Sequence, residues 1–131
     1  MKIPVLNVKS LSVIAACCFY STTLFAQSVK TERNPKDNTV KTVLFENGQQ
    51  PSKDMLASVI AEYTGLHMPA DLKLKFSHKE KNGTEIIRYS QWYNNVQVEH
   101  GSVSVMMKDN AITFINANIF QPSGIHTVAP V

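Results

Sequence analysis

The sequence predicts an α+β fold, with one N-terminal helix packed on an antiparallel sheet of about four strands in meander order. Three observations predict it. Apolar residues at Leu56, Val59, Ile60 and Tyr63 follow helical spacing. From Leu72 onward the pattern changes to period two, with Leu72, Leu74, Phe76 and His78 alternating with Lys73, Lys75, Ser77 and Lys79. The strand-like runs are then separated by short polar pairs suited to tight turns, at Asn82-Gly83, Asn94-Asn95 and Asp109-Asn110.

The segment 27–51 reads as a flexible leader, because Asn34-Pro35-Lys36-Asp37-Asn38 clusters turn formers and the first apolar group is only Val40, Val43, Leu44 and Phe45. That group is expected to lie as an edge strand or to pack locally. Ser52 is a good N-cap, Asp54 suits the first turn, and Gly65 followed by Pro69 ends the helix, which places it over 52–64. Strands are expected over Leu72 to Lys79, Glu85 to Tyr93, Ser102 to Lys108 after a bend at His100-Gly101, and Ala111 to Phe120. The domain is bounded at 52–122, and the tail 123–131 reads as cut off. Alternation puts Ile86, Arg88, Ser90 and Trp92 on one face, and Ile87, Tyr89, Gln91 and Tyr93 on the other. Trp92, Tyr89 and Tyr93 concentrate amphipathic rings there, which suits a partner-facing surface as well as a core.

With 131 residues, 44% hydrophobic and 18% charged, the chain fits one globular domain with flexible ends. Residues 1–26 read as a secretory signal: Lys2 and Lys9 are basic, Leu11 to Tyr20 is apolar, and small or polar residues lead to cleavage after Ala26. The apolar run is too short for a permanent membrane span. Removing Lys2 and Lys9 from the 13 basic side chains leaves 11 against 10 acidic ones, which argues against nucleic acid as a partner. Cys17 and Cys18 both lie in the signal, so a mature domain has no disulfide. Ile14-Ala15-Ala16-Cys17 also resembles a bacterial lipobox, and the second reading is an envelope lipoprotein anchored through Cys17.

The sequence carries no recognisable catalytic motif. No His-Glu-x-x-His pair is present, and His67, His78, His100 and His126 are widely spaced. There is no Gly-x-Ser-x-Gly elbow, and the cysteines leave with the signal. Glu85 and Glu99 sit near turns, where solvated carboxylates are expected. Asn82-Gly83-Thr84 has the form of a glycosylation triplet, but the hairpin turn already accounts for it. Lys73, Lys75, Lys79 and Lys81 make a basic edge that meets an acidic partner or simply prevents strand-to-strand aggregation.

The order of the remaining residues resembles the FTP domain, the first part of the propeptide of fungalysin- and thermolysin-type zinc proteases. The resemblance runs from about Leu56 to Pro122. It rests on Gly65-Leu66, Leu72-Lys73-Leu74, Arg88-Tyr89-x-Gln91-x-Tyr93, Val96-x-Val98, Gly101 and the alternating Val103 and Val105. The family often has glycine at the positions of Asn95 and Asn110 and proline at that of Gln97; asparagine takes the same left-handed turns.

The resemblance implies a non-catalytic propeptide domain that acts as intramolecular chaperone and inhibitor of a secreted thermolysin-like zinc metallopeptidase, normally in cis. Arg88, Tyr89, Gln91, Trp92, Tyr93, Val98 and Gly101 are then the motif or partner-facing residues. No cofactor is expected in this chain, and zinc belongs to the associated protease. The alternative is a stand-alone secreted or lipid-anchored binding module or protease inhibitor.

Overall fold

The computed structural model describes residues 29–125. The expected cleavage at Ala26, the alternative at Cys17, and His126 lie outside the described residues. Among the described residues, six strands form one antiparallel sheet: β1 (Val29–Arg33), β2 (Val40–Phe45), β3 (Leu72–Lys79), β4 (Thr84–Tyr93), β5 (Val96–Lys108) and β6 (Ala111–Asn118). Their spatial order is β1-β2-β6-β5-β4-β3. One helix, α1 (Leu56–Thr64), follows a 3₁₀ turn over Lys53–Met55. The fold is therefore α+β, but with six strands rather than four, and the helix follows the first two strands instead of opening the domain.

The reason lies in residues 29–45. Val43 and Phe45 alternate onto the core face of β2, and an irregularity at Lys41, between the Glu32–Thr42 and Arg33–Val40 pairs, brings Val40 into the core as well. β2 pairs with β6 through Thr42–Asn116, Val43–Ile115 and Leu44–Phe114, so it is an interior strand and not an edge. Asn38 at φ 59° turns the chain between β1 and β2. The clustered turn formers at Asn34 to Asn38 thus make a hairpin loop rather than a leader.

The helix forms as its sequence dictates. The Ser52 hydroxyl accepts the Asp54 N–H, and Gly65 closes the C-terminus at φ 73° with its N–H on the Ala61 carbonyl. Leu56, Val59 and Ile60 are buried against the sheet, and Tyr63 meets Phe45 edge-on at 5.6 Å between ring centroids. Two backbone bonds from the preceding loop, Lys53 N–H to Asn110 and Ile112 N–H to Pro51, tie the helix entry to the start of β6.

Facing α1, the core is built from Ile87 and Tyr89, Val103, Val105 and Met107, and Ile112, Ile115, Ala117 and Ile119. Leu72 is the one buried residue of β3. A bulge at Lys75, between the Leu74–Tyr89 and Phe76–Arg88 pairs, reverses the alternation of that strand. The expected common face of Leu72, Leu74, Phe76 and His78 is therefore split, and Leu74 and Phe76 are 63% and 51% exposed. Nine residues of helix span about 14 Å, too short to cover an outer strand of a six-stranded sheet as well.

Val43→Ala tests whether the early strands belong to the core. Its loss of two methyl groups and the cavity left behind are expected to cost about 2 kcal/mol in urea unfolding. Exposed Lys41→Ala is expected to stay within about 0.5 kcal/mol of the parent.

Candidate functional site on the β4–β5 corner and the open sheet face

The residues singled out in the sequence converge on β4 and β5, and the strand register separates them into two groups. Up to the Ser90–Ser102 pair the strands match residue for residue; the next pair is Trp92–Gln97. Val98, Glu99, His100 and Gly101 therefore stand opposite the single residue Gln91. His100 makes the excursion by adopting φ 61°, and its carbonyl accepts the Asn118 side-chain N–H at 3.0 Å.

Gln91 fills the space this opens. Its side chain is only 2% exposed and pairs in both directions with the backbone just beyond β6: Nε2 donates to the Phe120 carbonyl at 2.7 Å, and Oε1 accepts the Phe120 N–H at 2.9 Å. Both polar ends of a buried amide are thereby satisfied. Gly101 permits the approach, since a Cβ there would lie 2.7 Å from the Gln91 Cβ and 2.8 Å from Oε1. Tyr89 lies on the core face and is buried, so Tyr89, Gln91 and Gly101 build the corner from within.

Glu85 occupies the same inner face. It is 7% exposed and receives the Lys53 ammonium at 2.8 and 2.9 Å, which links the helix entry to β4. The expectation of a solvated carboxylate fails because Lys53, 32 residues away, is brought across the sheet by the fold. Burial raises the pKa of the Tyr89 phenol above its ordinary value of 10, and the nearby Glu85 charge adds to the effect.

Among the described residues, no helix lies on the other face of the sheet. Arg88 is exposed there, its Nε donating to the Ser104 hydroxyl at 3.1 Å. Trp92 donates from its indole N–H to Ser90 Oγ at 3.0 Å, while the Lys73 ammonium stands 3.9 Å from its ring centre. Tyr93 and Val98 are half-buried at the end of the hairpin, whose turn residues Asn94 and Asn95 take φ 47° and 61°. Rows of side chains cross the sheet in register. One runs Leu44, Phe114, Met106, Ile86 and His78; the next runs Thr42, Asn116, Ser104, Arg88 and Phe76.

The segment from Ala70 to Ile119 matches the family model described as the Fungalysin/Thermolysin Propeptide Motif. No curated protein and no solved structure matches the chain. The matched segment covers β3 to β6 and includes Arg88, Tyr89, Gln91, Trp92, Tyr93, Val98 and Gly101. β1, β2 and α1 lie outside the matched range, although their side chains complete the core of the same sheet. Among the described residues, no group of three or more His, Cys, Asp or Glu side chains is arranged to hold a metal ion, and no helix is long and apolar enough to cross a membrane.

Gln91→Ala leaves the Phe120 N–H and carbonyl without partners, and its expected cost in equilibrium unfolding is about 2–4 kcal/mol. Gly101→Ala crowds Gln91 and is expected to cost about 1–3 kcal/mol. Because the Tyr89 pKa is raised on folding, the folded chain holds that proton longer than the unfolded chain. The associated stability is complete below pH 10 and is lost as pH rises through the folded value. Unfolding measured across that alkaline window is expected to show a shallower decline in Tyr89→Phe than in the parent.

Proposed function

We propose that the chain is the leading, non-catalytic part of a secreted thermolysin-type zinc protease precursor, acting as chaperone for folding of the protease and as its inhibitor before processing. The observation that carries this reading is the propeptide motif at residues 70–119. The architecture is compatible with it: a sheet clamped on one side by α1 offers its other side as a preformed surface. A protease with many non-local strand pairings folds slowly, and a surface that binds its native-like state lowers the free energy of that state by mass action. Zinc belongs to the protease in this reading, and the precursor acts outside the cytoplasm.

The test is refolding of denatured thermolysin with and without the purified chain. The yield of active enzyme is expected to rise severalfold with the chain, and activity of the native enzyme is expected to fall as the chain is titrated in. Unchanged yield together with unchanged activity would remove the proposal and leave the stand-alone binding module.

A further inference from the structure

We propose that the open sheet face recognises an acidic polypeptide segment, with a carboxylate seated at Arg88 and Lys75 and a neighbouring apolar side chain laid on Ile86, Met106 and Phe114. The inference rests on the reading above that the partner is a polypeptide, and it names the chemistry of the surface that partner presents. A shallow basin of about 530 Å³ lies on this face, lined by Lys75, Arg88, Ser90, Ser102, Ser104 and Asn116, among others. Its lining contains no carboxylate. The Arg88 Nε bond to Ser104 fixes the guanidinium over β5, and among the described residues neither Arg88 nor Lys75 forms an ion pair. The remaining guanidinium N–H donors form the planar fork that suits a carboxylate. The hydroxyls of Ser102 and Ser104 and the side-chain amides of Gln97 and Asn116 add uncharged donors around it.

Beside this basin, about 7 Å along the strands, runs the apolar row. Leu44 and Met106 are each 41% exposed, with Phe114 and Ile86 half-buried between and beyond them. At the far edge of the sheet the carboxylates Glu46 and Glu32 are taken up by Lys30 and Lys41. Within the basin, by contrast, Lys75 and Arg88 have no carboxylate partner and stand next to apolar surface.

That combination selects among occupants. A second copy docking the same face by twofold symmetry would set Arg88 and Lys75 against their own equivalents, a like-charge contact. A nucleic acid would engage many cations along a phosphate track, whereas this basin holds Lys75 and Arg88 beside an apolar row that phosphate does not use. An acidic segment with an apolar neighbour complements both halves.

The experiment is an NMR titration of the isotope-labelled chain with a capped peptide alternating Glu and Leu, with the Lys-Leu peptide and inorganic phosphate as comparisons. The Glu peptide is expected to shift the Arg88 Nε–H and the amides of β4 and β5 around Ile86 and Ser104. Arg88→Glu is expected to weaken that peptide by about tenfold and to favour the Lys peptide, as reversal of a charge partner should. Ile86→Ser is expected to weaken the Glu peptide while leaving the Arg88 Nε–H shift detectable. Equal response to both peptides, shifts away from this face, an equal response to phosphate, concentration-dependent dimerisation through the face, or an unaffected Arg88→Glu would each overturn the proposal. Peptide binding without any effect on thermolysin would retain this site and reject the protease reading; the reverse result would reject this site alone.

Discussion

The pairing of the Gln91 side-chain amide with the Phe120 backbone is the contact on which the corner of this sheet depends. β4 and β6 are separated by β5 and share no ladder hydrogen bonds. Where β5 leaves its register at Val98 to Gly101, the buried amide of Gln91 reaches the chain beyond β6 and serves it as a strand neighbour would. The arrangement requires an amide, because one end must donate and the other accept. It also requires glycine at 101, because any side chain there occupies the volume of Gln91.

From that corner the two faces diverge. Inward lie Tyr89 and Glu85, the latter bound to Lys53, so that β4 is joined both to the end of β6 and to the helix entry. Outward lie Arg88, Ser90 and Trp92, with hydroxyls and cations in one row and aliphatic and aromatic side chains in the next. Fixing β4 from the inside sets the positions of its outer side chains, of which Arg88 is exposed. This division lets the outer face serve recognition while the inner face carries stability.

Local chemistry made much of the fold legible in the sequence. Ser52, Gly65 and the apolar spacing between them mark the helix, and the asparagines of the β4–β5 and β5–β6 turns take left-handed conformations, with Asn110 at φ 63°. Alternation alone assigned Ile86, Arg88, Ser90 and Trp92 to one face. Long-range relations were not legible. Val40, Val43 and Phe45 look like a minor apolar cluster until Ile115 is placed opposite them, and Glu85 looks solvated until Lys53 crosses the sheet. The bulges at Lys75 and at Val98 to Gly101 reverse or suspend alternation with no marker beyond Gly101 itself. Gln91 was visible as part of a motif, but its partner is a backbone peptide 29 residues away, which carries no side-chain signal.

Amide hydrogen exchange at Phe120 tests the central structural claim most directly. If Gln91 holds the chain beyond β6 as described, the Phe120 N–H exchanges only through unfolding of the domain, at a rate close to those of Val103 and Ile115 in the core. Exchange at Phe120 as fast as that of an exposed loop amide would show that the clasp is not formed, and the corner would then need another explanation.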